Sequence, residues 1–151
     1  MILDLDQVDI LKVIETKAVF KDKAMIPFKE VSILIVDDDE DIRNYFNKIL
    51  KNNYSDLTFT SNGIEALANA SFNKPDIIFL DLNLPGINGD KVLKLLRKNS
   101  RTCDIPIIAI TKPEEKNLNK TKLKLRQTGF DEVQFKPLDR FEVYSKIIKF
   151  T

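Results

Sequence analysis

The chain contains no histidine. That absence excludes serine-histidine and cysteine-histidine nucleophilic catalysis and histidine-ligated zinc. A single cysteine, Cys103, rules out an intrachain disulfide and fits a reducing compartment, so a cytoplasmic location is expected. No apolar run approaches the ~20 residues needed to span a bilayer, and the first stretch, MILDLDQVDILK, carries acids where a secretory signal would carry basic residues. Neither membrane insertion nor export is expected. Charge of one sign is also lacking: 24 Lys and Arg stand against 23 Asp and Glu, a net +1. No overall field then favours nucleic acid or an anionic membrane, and a charge-driven partner must recognise a local patch.

What remains is an ordinary globular composition, 43% hydrophobic and 31% charged over 151 residues, enough for one core with an extension. From Val31 onward, short apolar runs alternate with helical patterns, which predicts βα units, a parallel sheet and the α/β class. VSILIV (31–36), DIIFL (76–80) and IPIIAI (105–110) are continuously apolar, as strands covered on both faces are. LTFT (57–60) and EVQF (132–135) alternate more and suit the edges of a five-stranded sheet. Between them, Ile42, Phe46, Ile49 and Leu50 recur at helical spacing; so do Ile64, Leu67 and Ala68, then Val92, Leu93 and Leu96. Capping-box spacing at Asn62 with Glu65 and at Asp139 with Glu142 marks two helix starts. The last helix is predicted to bury Phe141, Tyr144, Ile147 and Ile148. Pro113 with Glu114 and Glu115 predicts another helix start and Gly129 its stop, although KTKLKLR within it also alternates like a strand. Residues 1–30 fall outside this rhythm and are read as an extension or linker to a domain at 31–151. Within the extension, Leu5, Val8, Leu11 and Ile14 suit one amphipathic face, and Lys17 to Ile26 suits an extended segment equally well.

Ligands of an open parallel sheet bind at the carboxyl ends of its strands. Here those ends carry Asp37, Asp38 and Asp39 after the first strand, Asp81 after the third, Thr111 after the fourth, and Lys136-Pro137 after the fifth. Carboxylates ~4 Å apart repel by ~4 kcal/mol at an effective dielectric of 20, so the cluster calls for a cation. Oxygen ligands without histidine or thiolate point to Mg²⁺. With that charge neutralised, Asp81 has the chemistry of a nucleophile that forms an aspartyl phosphate, and Thr111 and Lys136 that of groups stabilising the transferred oxygens. Each residue alone has a plainer use: acids at a helix start, Asp81 in turn chemistry, Thr111 as a cap, Lys136 as a solvated lysine. Only Asp81, ending an apolar strand, is a costly choice without a function.

VSILIVDDDEDIR, PDIIFLDLNLPGINGD, IPIIAIT and FKP, in that order and spacing, resemble the signature of receiver domains of two-component response regulators, over about 31–150. The resemblance implies a flavodoxin-like doubly wound sheet in the order 2-1-3-4-5. It implies that Asp37 and Asp38 form the acidic pair for Mg²⁺, with Asp38 the direct ligand, that Asp81 is phosphorylated, and that the Asn83 backbone carbonyl also ligates the metal. Thr111 becomes the hydroxyl that moves to the phosphoryl group, Lys136 the phosphate-binding lysine, and Lys136-Pro137 a cis peptide. The implied partners are a histidine kinase or histidine phosphotransfer protein as donor and a downstream protein; a homodimer is compatible, and direct nucleic-acid contact is not expected. The implied role is that of a phospho-acceptor switch and not of an enzyme, save for self-catalysed gain and loss of its own phosphoryl group.

Three positions depart from the family pattern. Lys112 replaces a small residue after Thr111, and either shields the site or adds a cation. Val133 stands where the family has a switching aromatic ring. The interval from Thr111 to Lys136 is longer than usual and basic, with Lys112, Lys116, Lys120, Lys122, Lys124 and Arg126 facing only Glu114 and Glu115. That run is expected to form part of a partner-binding face, because the chain ends after its fifth helix and output would pass through another protein. Two other functions compete. Asp37-x-Asp39 resembles the nucleophile motif of haloacid-dehalogenase phosphohydrolases, which leaves Asp81-x-Asn83-x-Pro-Gly unexplained. A degenerate receiver acting only as a binding module is suggested by Lys112 and Val133.

Overall fold

Each continuously apolar run becomes a strand because its Ile, Val and Leu side chains are covered on both faces. The computed structural model describes residues 30–113 and 117–151. Along the chain these form β1 (Ser32–Val36), α1 (Glu40–Leu50), β2 (Asp56–Thr60), α2 (Gly63–Asn73), β3 (Ile77–Asp81), α3 (Gly89–Lys98), β4 (Ile107–Thr111), α4 (Leu118–Thr128), β5 (Glu132–Phe135) and α5 (Arg140–Phe150). The sheet is parallel throughout, in the order β2-β1-β3-β4-β5, with the two alternating segments at the edges as expected.

The alternation of side chains along each strand separates two cores. Leu34, Val36, Ile78, Leu80, Ile107 and Ala109 face α2, α3 and α4. Ile33, Ile35, Ile77, Phe79, Ile108 and Ile110 face α1 and α5, where Phe46 meets Phe79 with ring centroids 5.2 Å apart. The chain runs from β1 outward to β2, then returns to place β3 on the other side of β1. This reversal opens a crevice at the carboxyl ends of β1 and β3.

Local signals set most helix starts. Asp39, Asn62, Asn88, Asn117 and Asp139 each cap a helix by accepting from a backbone N–H two or three residues on. The start expected at Pro113 lies instead at Asn117–Leu118; Glu114, Glu115 and Lys116 fall outside the described residues. KTKLKLR is helical, and α4 stops at Gly129, whose φ of 122° suits glycine.

Two predicted faces are corrected. α2 buries Gly63, Ala66 and Ala70, with Leu67 half-buried, while Ile64 and Ala68 are exposed. Small residues turn inward because α2 sits close to α3: a Cβ on Gly63 would lie 2.6 Å from Val92 Cγ2. α5 buries Val143 with Tyr144 and Ile147, leaving Phe141 half-buried and Ile148 exposed. The Tyr144 hydroxyl, 2.6 Å from the Ile49 carbonyl of α1, fixes that rotation. The expectations for Leu5 to Ile14 and Lys17 to Ile26 lie outside the described residues.

Candidate functional site

At the end of β1 the chain leaves the sheet through Asp37, which is fully buried, and Asp38, which is exposed. The Asp37 backbone N–H donates to the Thr60 carbonyl of β2 (3.1 Å), and its Oδ1 accepts from the Asp39 N–H (2.9 Å). Arg43, one turn into α1, donates to the Asp37 carbonyl (2.8 Å). The acidic loop is thus held from three sides, and two of the three acids do not serve as the helix cap. The third, Asp39, does, accepting from the Asp41 N–H (2.9 Å).

Asp81 closes β3 and is 3% exposed. One of its oxygens accepts from the Asn83 N–H (3.2 Å). Behind it the loop Leu82–Asn88 returns, with the Gly89 N–H bonded to the Leu82 carbonyl (2.9 Å). Gly89 has no room for a side chain: a Cβ would stand 2.3 Å from the Asp81 carbonyl oxygen. Gly89 was not singled out from the sequence, where NGD reads only as part of a loop.

One carboxylate oxygen each from Asp37, Asp38 and Asp81 lies within 4.8 Å of the others; among the described residues, this is the group of acidic side chains arranged to hold a metal ion. Lys136, delivered by the cis Lys136-Pro137 bond after β5, places Nζ 3.0 Å from Asp37 Oδ2 and 3.6 Å from Asp81 Oδ2. Asp37 Oδ2 is wholly buried and meets no well-aligned hydrogen bond, the Lys136 ammonium being its charged neighbour. Burial and the facing Asp37 carboxylate push the Asp81 carboxyl up to about 6, against the pull of the Asn83 N–H and the Lys136 ammonium. Burial alone would lower Lys136, yet Asp37 and Asp81 outweigh it and hold the ammonium above its ordinary value. The cluster therefore sets three carboxyl groups against one ammonium.

The structure brings Asp37, Asp38, Asp81 and Lys136 together. Thr111 ends the neighbouring strand: Leu82 donates to the Ile110 carbonyl (3.2 Å) and Lys136 to the Thr111 carbonyl (2.9 Å). Its hydroxyl, largely buried, donates to the Lys112 carbonyl (3.2 Å) and not to an acidic side chain. Asn83 is exposed and reaches the cluster through its N–H. Lys112 is exposed, and the cation paired with the carboxylates is Lys136. Val133 is buried among the side chains facing α3 and α4. The basic run divides: Arg126 pairs with Glu132 (2.6 Å) and Lys122 lies over the Phe135 ring at 5.9 Å, while Lys120 and Lys124 are exposed.

The family model described as the response regulator receiver domain matches residues 33–148. The chain is 35% identical over 115 residues to the alkaline phosphatase synthesis transcriptional regulatory protein PhoP of Bacillus subtilis, covering 76% of this chain and 46% of that protein. It is 26% identical over 116 residues to hybrid signal transduction histidine kinase D of Dictyostelium discoideum, covering 77% of this chain and 7% of that protein. The chain thus spans less than half the length of these relatives. Among solved structures, the Francisella response regulator 1452 receiver domain superimposes with a TM-score of 0.67 at 27% identity, covering 79% of this chain and 96% of that one. With the strand order, the carboxylate cluster and the lysine after β5 in agreement, the chain belongs to the receiver domain family of two-component response regulators.

Proposed function

We propose that residues 31–151 form a phospho-acceptor switch in which Asp81 takes a phosphoryl group from the phosphohistidine of a partner kinase or phosphotransfer protein, residues 1–30 being an extension to it. The observation that carries this reading is the meeting of three carboxylates within 4.8 Å with the Lys136 ammonium 3.0 and 3.6 Å from two of them. The donor histidine lies outside these 151 residues, which contain none. The carboxylate of Asp81 attacks phosphorus, the phosphorus–nitrogen bond breaks, and the imidazole leaves with the electron pair. Lys136 stays beside the acquired phosphoryl oxygens as a fixed positive charge, and the Thr111 hydroxyl, at the end of the strand next to Asp81, would turn from the Lys112 carbonyl toward them.

The donor set fits Mg²⁺: three carboxylates against one ammonium leave excess negative charge, and the buried Asp37 Oδ2 lacks an aligned donor. The Asp37, Asp38 and Asp81 carboxylates and the Asn83 carbonyl would hold the ion. When bound, it supplies the positive charge that lets an anionic phosphoryl group enter. The phosphohydrolase reading is disfavoured by Asp39, whose carboxylate is committed to the cap of α1. No helix among the described residues is long and apolar enough to cross a membrane; a cytoplasmic site of action is proposed on the single cysteine. The exposed Lys120 and Lys124 are part of the proposed docking face for a downstream protein.

Intact-mass measurement with acetyl phosphate or beryllofluoride and Mg²⁺ tests the reading. A stoichiometric adduct in the native chain and none in Asp81→Asn is expected. An adduct that persists without Asp81, or hydrolysis of a simple phosphate ester that survives Asp81→Asn, would overturn it; no adduct at all would favour the binding module.

A further inference from the structure

Lys112, which departs from the family pattern, is left unused by the carboxylate cluster, whose cation is Lys136. It lines a different concavity. Between α3 and α4 runs a groove of about 660 Å³, bordered by Thr111 and Lys112 at the end of β4, by Lys94 of α3 and by Lys120 and Lys124 of α4. All four lysines are exposed, and among the described residues none of them forms an ion pair. On the α5 side of α4 the basic side chains are engaged: Arg126 and Lys149 pair with Glu132, Lys146 donates to Gln134, and Lys122 lies over the Phe135 ring. Lysines scattered over a surface are ordinary solvated groups, but here three elements bring four of them to one concavity, where they focus positive potential. Asp90 is the acid among the described lining residues, so four ammonium groups stand against one carboxylate.

The lining also selects among anionic ligands. Leu93 and Leu125 are buried in its wall, while Leu123 is 58% exposed. A free phosphate would leave that leucine in water; a peptide carrying both carboxylates and an apolar side chain would cover it. No aromatic ring lines the groove among the described residues, so nothing there stacks a nucleotide base. The lysines act as separate point charges and lack the planar fork with which arginine grips a phosphate. Lys120 and Lys124 are one helical turn apart, roughly 6 Å along the axis. Carboxylates four residues apart on a helix, or two apart on an extended chain, repeat at nearly that spacing.

We propose that the groove between α3 and α4 captures an acidic segment of a partner protein, whose carboxylates pair with Lys94, Lys112, Lys120 and Lys124 and whose apolar side chain covers Leu123. This rests on the reading of α4 as a docking face and narrows it, since the partner then reaches across to α3 and to the strand end that carries Thr111.

The test titrates a short peptide of glutamates with spaced leucines into the full ¹⁵N-labelled chain, at low salt and without divalent cation or phosphodonor. Saturable shifts concentrated on the amides of Lys94, Lys112 and residues 120–128 are expected. Lys94→Glu/Lys112→Glu, which leaves α4 untouched, is expected to weaken binding about tenfold, and Lys48→Glu/Lys51→Glu at the end of α1, the same change in net charge, to leave it unaltered. All four replaced lysines are exposed, and the spectrum without peptide checks the fold. Absent binding, equal weakening by both double variants, or shifts centred on β5 and α5 overturns the proposal. So does an oligothymidylate of equal charge that displaces the peptide from the same amides at lower concentration, since the ligand is then a nucleic acid. Weakening by Lys120→Glu/Lys124→Glu but not by Lys94→Glu/Lys112→Glu overturns the groove while leaving α4 a docking face. The readout needs no phosphoryl group, so its failure leaves the Asp81 adduct standing and loss of that adduct leaves the groove standing.

Discussion

Removing the charge of Lys136 tests whether the cluster is held together by the ion pair with Asp37. Lys136→Met keeps most of the aliphatic stem and deletes the ammonium; Asp37→Asn keeps an oxygen able to accept from the Asp39 N–H and deletes the charge. At the 3.0 Å separation of Nζ and Asp37 Oδ2, the pair attracts by about 5.5 kcal/mol at an effective dielectric of 20. Water at the ammonium, whose side chain is 13% exposed, and its second attraction to Asp81 at 3.6 Å reduce what the cycle reports. A coupling energy of about 3 kcal/mol is expected, within the range of close charge pairs. Lys136→Met alone is expected to be the most damaging single change, because it leaves a buried carboxylate facing Asp81 with no cation. The measurement is urea unfolding of the four proteins at pH 8 without divalent cations, where Asp81, with a carboxyl pushed up to about 6, is ionised in the native protein. A coupling below about 1 kcal/mol, the size seen for exposed pairs, would refute the claim that this pair organises the site.

Three further outcomes follow from other parts of the structure. Gly89→Ala drives a Cβ into the Asp81 carbonyl oxygen and the Leu82 Cα, both rigid backbone, so a loss of about 3 kcal/mol by urea unfolding is expected, together with slower adduct formation at Asp81; unchanged stability would show that the loop is free to move. Burial pushes the Tyr54 hydroxyl up to about 12 from 10, so its contribution is intact below pH 10 and declines as the unfolded chain ionises first; stability is expected to fall as pH rises from 10 toward 12, and to fall less in Tyr54→Phe. Charge reversal of Lys120 and Lys124 is expected to weaken capture of a downstream partner in low salt and to matter little in high salt; binding indifferent to both would remove α4 from the docking face.

Strands and their rank in the sheet were legible because a strand buried on both faces needs a continuous apolar run, and the two that alternate lie at the edges. Helix faces were less legible. In α2, Ile64 and Ala68 carried the apolar pattern, yet Gly63, Ala66 and Ala70 face inward because the spacing to the sheet and to α3 admits only small side chains. In α5, the apolar residues spread over about half the helix circumference, so periodicity could not choose between Val143 and Ile148; the bond of Tyr144 to α1 did. The start of α4 was misplaced because Pro-Glu-Glu is as good a local signal as the Asn117 cap that the fold uses.

By itself, the sequence determined which chemistry is possible: oxygen donors without imidazole, a lysine before a proline, and a carboxylate at the end of a buried strand. Only the tertiary structure decided how those groups meet. Asp37, Asp81 and Lys136 are far apart along the chain, and ångström separations arise from the parallel register of β1, β3, β4 and β5, which no local pattern encodes. The shift of Asp81 has the same origin, since desolvation and a facing carboxylate are properties of the assembled crevice and not of the residue.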